Sequence, residues 1–302
     1  MAERGYLILD VFAGRALEGN PLAVVLDADG LDTATMQRIT REFNLSETVF
    51  VAPPENPSHA ARIRIFCPDY EMPFAGHPTV GTAVALAGER GIADGQLLVL
   101  EENIGPVRCV VRKGRGADFA EFDVPQIAQA VAFAPDMATV AAALGLDVSD
   151  LGFDGHVAGA WTAGVPYVTL PVKGLDAARR IKFDPHRWRA VAPDQAGGQK
   201  ASVYVYCRET ELPGSTYHAR MFTPAGSGWE DPATGSAAAA FVGAAVSNGR
   251  LADGSHEIWI EQGIEMGRPS RIRLEIDVAG GKARAARIGG EAVIVGRGVI
   301  YV

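Results

Sequence analysis

The sequence "PFAGHPTVGTA", residues 73–83, decides which fold is predicted for this chain. Pro78 suits the first turn of a helix, where the N–H that proline lacks would be unpaired in any case. The residues that follow, 79–88, are nearly all small or apolar. A helix that is apolar on every side belongs inside a protein. We therefore predict a buried helix whose N-terminus presents His77 and free backbone amides to an enclosed space.

The same pattern occurs a second time in the chain. "RIFCPDYEMPFAGHPTVGTA" begins at Arg64, and "RMFTPAGSGWEDPATGSAAAA" begins at Arg220, so that Ser236 takes the place of His77. Other segments correspond as well: "IADG" at 92–95 with "LADG" at 251–254, and "GNPLAVV" at 19–25 with "GVPYVTL" at 164–170. Strand-like segments, "QLLVLEE" and "HEIWIEQ", follow "IADG" and "LADG". An internal repeat of this length indicates two similar halves.

Each half is predicted to contain a strand, a helix (31–43 in the first half), several strands, and then the turn with its apolar helix. A helix that is buried on all sides needs cover from more than one layer, and a strongly curved mixed sheet supplies it. We predict an α+β protein with two pseudo-twofold halves, each a barrel-like mixed sheet curled around a central apolar helix. The first half is predicted at 1–120 with a returning C-terminal strand at 290–302, and the second at 121–289. Neither GxGxxG nor GxxxxGK[ST] occurs, which disfavours a doubly wound nucleotide-binding sheet.

Composition excludes several classes of partner. The chain has 302 residues, a net charge of −8 and a pI near 5.3, which argues against nucleic acid and anionic membranes. The longest apolar stretch, 237–246, is about half of what a bilayer span needs, and the N-terminus lacks the pattern of a signal peptide. Three cysteines, Cys67, Cys109 and Cys207, are widely spaced without a CxxC motif. They suit a reducing cytoplasm and are predicted to be buried.

The two helix starts are candidates for binding an anion. A helix N-terminus offers unpaired N–H groups and a partial positive charge, which stabilise a carboxylate or a carbanion with enolate character. Gly76 and Gly235 suit this use, because glycine lets backbone amides approach a ligand closely. The alternative is that His77 and Ser236 only cap their helices, a role for which serine is well suited.

Acid–base side chains lie near both turns. The candidates are His77, Asp231, Glu71 and Glu230, together with Glu47 at the junction of a predicted helix and the strand-like "TVFV". Taken alone, Glu47 is better interpreted as a surface acid. The other five histidines are scattered, without an HExxH motif, so no metal site is predicted. No GxSxG motif occurs either, which disfavours a hydrolase of that type.

Four segments together resemble the PhzF-type phenazine-biosynthesis isomerase family. They are "GNPLAVV", "MQRITREFNLSETVFV", "RIFCPDYEMPFAGHPTVGTA" and "FTPAGSGWEDPATGSAAAA", and the likeness runs from residue 8 to the C-terminus. The family shares the fold of diaminopimelate epimerase, two similar α+β halves with the active site between them. In that epimerase, cysteines at the paired helix starts act on opposite faces of a carbon. Here His77 and Ser236 stand in those places, which excludes a two-thiol racemase.

The resemblance implies a one-base isomerase in which Glu47 shuttles a proton between carbons of a small carboxylate-bearing ring substrate. It assigns catalytic roles to Glu47, His77, Asp231 and Ser236, and we expect substrate binding by Asn20, Gly76 and Gly235. We expect no cofactor, whether metal, nucleotide or flavin. A homodimer in the cytoplasm, acting on a small carboxylate without nucleic acid or membrane partners, is the corresponding expectation.

Two other functions are compatible with the sequence. One is an epimerase or dehydratase acting on an amino or hydroxy acid, with Glu47, or His77 together with Ser236, as its acid–base groups. The other is a small-acid binding protein without catalysis. The acid–base set argues against a pure binding protein, since binding alone does not require it. The sequence does not separate an isomerase from an epimerase or dehydratase.

Overall fold

The computed structural model describes residues 2–195 and 198–302. The strands are β1 (Glu3–Val11), β2 (Asn20–Val25), β3 (Glu47–Ala52), β4 (Ala61–Phe66), β5 (Glu71–Met72), β6 (Gln96–Glu102), β7 (Gly105–Arg112), β8 (Asp118–Asp123), β9 (Gln129–Val131), β10 (Gly159–Thr162), β11 (Pro166–Pro171), β12 (Ser202–Cys207), β13 (Tyr217–Thr223), β14 (Trp229–Asp231), β15 (Gly254–Gln262), β16 (Ser270–Ala279) and β17 (Lys282–Tyr301). The helices are α1 (Thr33–Phe43), α2 (Gly76–Glu89), α3 (Met137–Ala143), α4 (Leu175–Arg180), α5 (Pro185–Val191) and α6 (Gly235–Gly249).

The chain divides into two compact units. The first runs to Pro125 and takes in Ile288–Val302, and the second comprises Gln126–Arg287. The first unit therefore ends at Pro125, five residues after the predicted boundary at 120. The chain returns to the first unit at Ile288, two residues before the predicted start of the returning strand at 290.

The first unit is a mixed sheet that closes on itself. β1 pairs antiparallel with β2, β2 pairs parallel with β3, and β3 pairs antiparallel with β4. β4 pairs parallel with β6, and β6, β7 and β8 follow as an antiparallel series. The last strand, β17, pairs antiparallel with β1, from Tyr301 opposite Glu3 to Ala292 opposite Val11. β17 also pairs with β8, which completes a closed barrel.

Helix α2 fills the centre of this barrel. All residues from Gly76 to Ala87 are buried, which confirms the helix predicted from its apolar composition. The helix approaches the sheet closely at Gly81, where an added Cβ would lie 2.5 Å from the Leu22 side chain and 2.7 Å from that of Val11. Only a glycine fits this contact between the helix and β1 and β2 without displacing them.

Helix α1 covers the outside of the first unit and ends just before β3. It begins at Thr33, two residues later than predicted, because the Asp32 side chain accepts a hydrogen bond from the Thr35 amide at 2.7 Å and caps the helix. It ends at Phe43, where Asn44 adopts the left-handed conformation with φ 51°. This end of the helix sets the position at which β3 starts.

The second unit repeats the arrangement of the first. β10 pairs antiparallel with β11, β11 parallel with β12, β12 antiparallel with β13, β13 parallel with β15, and β15 antiparallel with β16. The central helix is α6, whose residues Gly235 to Ala245 are all buried. The same order of parallel and antiparallel pairs in both units confirms the duplication. No helix in residues 2–195 and 198–302 is long and apolar enough to span a membrane.

Candidate functional site

The first unit brings Asn20, Glu47 and His77 together. Asn20 is the first residue of β2, Glu47 is the first residue of β3, and His77 is the second residue of α2. Nδ1 of His77 lies 3.3 Å from Oε2 of Glu47 and 3.4 Å from Nδ2 of Asn20. Asn20 and His77 are buried, and the Glu47 side chain is 14% exposed.

His77 is neutral at physiological pH. Burial lowers the pKa of its imidazole to about 3, against the opposing effect of the Pro21 carbonyl. The 3.3 Å contact with Glu47 is therefore not an ion pair between two full charges. A neutral imidazole carries a donor on one ring nitrogen and an acceptor on the other, and the two exchange when the tautomer changes. The imidazole is thus suited to following a change in the protonation of a neighbouring carboxyl group.

The starts of α2 and α6 both carry amides without a capping side chain. The N-cap residues are Ala75 and Thr234, and neither side chain caps its helix. His77 and Ser236 each lie one position inside the helix, so the alternative in which they serve only as caps is wrong. The first amides of a helix, here beginning with those of Gly76 and Gly235, have no partner within the helix. Unpartnered amides at a helix start are groups that can bind an anion.

In the second unit, hydrogen bonds join the residues around the start of α6. Oγ of Ser236 lies 2.7 Å from Oη of Tyr167. The Thr234 hydroxyl donates to Oδ2 of Asp231 at 2.5 Å. The Gln262 amide donates to the Asp231 carbonyl at 2.7 Å and lies 3.0 Å from the Thr234 hydroxyl oxygen. The predicted residues Asp231, Gly235 and Ser236 therefore lie in one buried polar cluster.

The two units carry different polar groups at matching places. In the first unit Glu47 lies opposite Leu22 in the parallel pair of β2 and β3. At the matching register of the second unit, Ser202 lies opposite Tyr167. Asp231, in turn, takes the place of a methionine of the first unit. The duplication thus preserved the scaffold but not the side chains of the two helix starts.

Glu71 and Glu230 are not available as acid–base groups. Arg64 donates two hydrogen bonds to Glu71, at 2.7 and 2.5 Å, and Arg220 donates two to Glu230, at 2.8 and 2.7 Å. A bidentate guanidinium holds a carboxylate in one position and keeps it ionised. These two residues, which the sequence suggested as candidates, are structural ion pairs repeated in the two units.

The three cysteines differ in their burial. Cys109 and Cys207 are buried as predicted, but Cys67 is only partly buried, because it lies in the turn between β4 and β5. Burial raises the pKa of the Cys67 thiol, and the charge of nearby Glu47 adds to this effect. A thiol with a raised pKa is a poor nucleophile and a poor base at neutral pH.

His218 and His156, two of the five scattered histidines, are held by hydrogen bonds to buried side chains. Nδ1 and Nε2 of His218 lie 3.0 and 3.1 Å from Glu261 and Glu265, and Nδ1 of His156 lies 3.1 Å from Oη of Tyr206. Within the described part of the chain, no group of three or more His, Cys, Asp or Glu side chains has the arrangement of a metal site.

Sequence reasoning missed three residues that the structure places at the helix starts. Tyr167 contacts Ser236, Gln262 contacts Thr234, and Glu102 contacts Thr79 in the first turn of α2. The repeat contains a hint of the first, because "GVPYVTL" has a tyrosine where "GNPLAVV" has a leucine. A polar residue that occurs in only one copy of a repeated buried strand is therefore a candidate neighbour of the helix start.

Comparison with known proteins identifies the family. The family model described as phenazine biosynthesis-like protein matches residues 9–298. The chain belongs to this family. A relative described as an uncharacterized isomerase of Mesorhizobium japonicum is 56% identical over 302 residues and covers 100% of both chains. The trans-2,3-dihydro-3-hydroxyanthranilate isomerase of Pseudomonas fluorescens is 36% identical over 295 residues and covers 98% of each chain.

Solved structures agree with this assignment. A phenazine biosynthesis protein of the PhzF family from Bacillus anthracis matches with a TM-score of 0.87 and 28% identity over 100% of both chains. A hydroxyproline epimerase from Agrobacterium vitis shares the fold, with a TM-score of 0.62 and 14% identity, covering 99% of this chain and 91% of that one. The predicted α+β, epimerase-like fold is confirmed, and the chain is an isomerase of the PhzF family.

Proposed function

We propose that the chain moves a proton between two carbons of a small carboxylate-bearing substrate, with Glu47 as the acid–base group. The observation that carries this proposal is the 3.3 Å separation of Glu47 Oε2 and His77 Nδ1 at the start of the buried helix α2. Glu47 is partly exposed, so a substrate can reach it, whereas its neighbour His77 is buried.

The reaction proceeds in two proton transfers. The Glu47 carboxylate removes a hydrogen from one carbon, and the electron pair of the broken C–H bond spreads into the conjugated system of the substrate. The same carboxyl group then returns the hydrogen to a second carbon, so that the product is an isomer and no other reactant is consumed. His77 stays neutral throughout. The Asn20 amide nitrogen, 3.4 Å from Nδ1, donates to the neutral ring, and the same Nδ1 lies 3.3 Å from the carboxyl group that takes up and returns the proton.

The substrate carboxylate and the developing negative charge need fixed donors. The amide of Gly76 at the start of α2 is one such donor, and Asn20 lies beside His77 on the same side of the helix. Preorganised amides that point at a developing charge lower the barrier more than flexible side chains do. Asp231, Gly235 and Ser236 keep the roles predicted for them, in catalysis for the first and last and in substrate binding for Gly235.

The differences between the two units favour an isomerase over a two-base epimerase. An epimerase needs matched acid–base groups for opposite faces of one carbon. Glu47 corresponds to Ser202 in the second unit, and His77 corresponds to Ser236, which contacts Tyr167. The carboxylate of the second unit, Asp231, accepts a hydrogen bond from Thr234 and occupies a different place. These differences favour a reaction with one base, Glu47.

The test uses the substrate named for the relative from Pseudomonas fluorescens, trans-2,3-dihydro-3-hydroxyanthranilate, as the first probe. We expect turnover by the native protein and a fall in kcat of about 10²–10⁴ in Glu47→Gln, which keeps the shape but cannot accept the proton. KM should change little, since binding is assigned to other groups. Glu42→Gln, a change at an exposed acid of α1, is the matched control and should behave as the native protein.

One result would change the choice of substrate, and another would contradict the proposal. If the native protein leaves this compound unchanged, the substrate is a different carboxylate, to be found by screening small acids for a rise in Tm. If the native protein and Glu47→Gln turn over the compound at similar rates, Glu47 is not the base and the proposed reaction is wrong.

A further inference from the structure

Glu102 is a buried acid that the proposed reaction does not use. It is the last residue of β6, its side chain is 2% exposed, and it lies beside the first turn of α2. Oε1 of Glu102 is 2.8 Å from the hydroxyl oxygen of Thr79. The same hydroxyl oxygen is 2.7 Å from the carbonyl oxygen of Ala75.

Counting hydrogens gives the protonation state of Glu102. The Thr79 hydroxyl has one hydrogen, and the Ala75 carbonyl has none. Both short contacts are hydrogen bonds only if Glu102 supplies the second hydrogen. The protonated carboxyl group then donates to Thr79, and Thr79 donates to Ala75. Burial raises the pKa of Glu102 to about 8, against the opposing effect of the Thr79 hydrogen bond, so the neutral acid is the form at pH 7.

Ionisation at this place has a high cost. Among the residues that the structure describes, the second oxygen of Glu102, Oε2, has no hydrogen-bond partner. A buried negative charge without a partner is strongly unfavourable. In addition, an ionised Glu102 competes with Ala75 for the single hydrogen of Thr79. One of the two contacts then becomes a repulsion between oxygens.

The second unit carries a residue at the same place that cannot ionise. Glu101 accepts hydrogen bonds from two successive amides, Glu55 and Asn56, and Glu261 does the same with Glu211 and Leu212. The two residues therefore correspond in the repeat. The residues that follow them are Glu102 and Gln262.

Gln262 hydrogen-bonds at the start of α6 to its N-cap residue Thr234, whereas Glu102 contacts Thr79 within the first turn of α2. The Gln262 amide nitrogen lies 3.0 Å from the hydroxyl oxygen of Thr234, and the Gln262 side-chain oxygen accepts from the Thr234 amide at 3.3 Å. The position thus calls for a neutral hydrogen donor. Glutamine supplies one at every pH, whereas glutamate supplies one only when protonated.

We propose that Glu102 is a positioning residue, whose protonated carboxyl group fixes the first turn of α2 and thereby aims the Gly76 amide at the substrate. The link is the planar peptide group between Ala75 and Gly76, in which the carbonyl and the N–H point in opposite directions. Thr79 holds the carbonyl through both its hydroxyl and its amide, the latter at 3.2 Å. Loss of the Glu102 proton weakens the hydroxyl bond to this carbonyl and leaves the Thr79 amide to hold it, so the Gly76 amide is less firmly fixed.

Cys109 and His77, which lie near Glu102 and Gly76, do not change their charge in the pH range in which Glu102 ionises. Cys109 on β7 faces it, and Asp123 at the end of β8 acts with it on the Cys109 thiol. The pKa of Cys109 is raised well above its usual value, chiefly by burial, so this thiol stays protonated in the range where Glu102 ionises. Near Gly76, His77 stays neutral at alkaline pH.

The direct test needs no substrate. The pH titration of the native protein between pH 6 and 10 is followed by NMR at the Glu102 carboxyl carbon and at the Gly76 amide. We expect both signals to shift with one midpoint near 8, the Gly76 shift to vanish in Glu102→Gln, and the Gly76 and Glu102 shifts to uncouple in Thr79→Val. The reciprocal variant, Gln262→Glu, should introduce an alkaline titration at the Gly235 amide.

The proposal is wrong if the Gly76 amide does not respond while Glu102 ionises, or if it responds equally in Glu102→Gln. If that variant fails to fold, the native titration and Gln262→Glu decide the question. The functional consequence rests on the proposed reaction: kcat/KM should fall about fivefold from pH 8 to pH 9 and about tenfold per pH unit above that, and this alkaline limb should be absent in Glu102→Gln. Equal turnover by the native protein and Glu47→Gln would refute the proposed function but leave the NMR result standing.

Discussion

Oε2 of Glu47 and Nδ1 of His77 lie 3.3 Å apart, although the two residues belong to different elements. Glu47 is the first residue of β3, and His77 is the second residue of α2. The meeting follows from two features of the first unit. β3 pairs parallel with β2, so that Glu47 lies opposite Leu22, and α2 lies against Leu22 at Gly81. The start of β3 and the start of the central helix therefore share one end of the barrel.

His77 should stay neutral over the pH range in which the protein functions. Because burial lowers its pKa to about 3, we expect the ¹⁵N signals of its imidazole to remain those of the neutral ring from pH 8 down to pH 5. An unfolded histidine titrates near 6.5. A midpoint for His77 above pH 5.5 in the folded protein would show a charged imidazole beside Glu47 and would contradict the proposed role.

The same lowered pKa predicts how stability depends on pH. The unfolded state binds a proton at this histidine below about pH 6.5 and the folded state does not, so the contribution is present above pH 6.5 and is lost as the pH falls toward 3. The slope from this one group approaches about 1.4 kcal/mol per pH unit. His77→Gln should remove it, which denaturant unfolding of the two proteins at pH 7, 6, 5 and 4 will measure. Equal slopes would mean that His77 is not buried in its neutral form.

The two repeated ion pairs should differ in their contribution to stability. Arg220 and Glu230 are more buried than Arg64 and Glu71, with side-chain exposures of 8% and 15% against 24% and 21%. Arg220 also donates to the Ala178 carbonyl. Removing one partner of a buried pair leaves the other charge uncompensated.

We therefore expect Glu230→Gln to lower the free energy of unfolding by about 3 kcal/mol, and Glu71→Gln by about 1 kcal/mol. Urea unfolding of the two variants beside the native protein gives the comparison. A larger loss in Glu71→Gln would show that the exposure of the pairs does not control their strength.

Activity should not depend on thiols. Cys109 and Cys207 are buried, and burial raises the pKa of all three thiols. Treatment of the folded protein with a small alkylating reagent should modify Cys67 slowly and leave turnover largely intact. A triple Cys→Ser protein provides the unreactive control. Stoichiometric loss of turnover on alkylation would instead indicate a thiol-based epimerase.

The repeated turns predicted the fold well, because their information is local. "PFAGHPT" and "EDPATGSA" indicate buried helix starts, and a helix apolar on all sides requires a sheet curved around it. The role of Glu47 could not be predicted from a local pattern. Its position in the sequence favours a surface acid, and only the resemblance to a known family assigned it a role. The parallel pairing that carries it to His77 is a long-range contact without a local pattern.

The polar neighbours of the helix starts could not be read from the sequence for a related reason. The strand segments "QLLVLEE" and "HEIWIEQ" end in Glu102 and Gln262, but nothing in the sequence shows that these end residues face the helix starts, which follows from the strand register. Tyr167 and Ser236 are likewise distant in sequence and meet only because β11 lies beside α6 in the folded unit. Their hydrogen bonds became visible only with the side chains in place.

The most direct test of Glu47 as the proton shuttle is the fate of hydrogen during turnover in deuterated water. With trans-2,3-dihydro-3-hydroxyanthranilate as the probe, the native protein should place solvent deuterium on the receiving carbon of the product, less the fraction of hydrogen that the single base carries across. NMR of the product measures both fractions. In Glu47→Gln, product formation and deuterium exchange into the recovered substrate should both be slower by about 10²–10⁴. Exchange or product at near-native rates in Glu47→Gln, with loss of both in His77→Ala, would contradict this account and assign the base to His77.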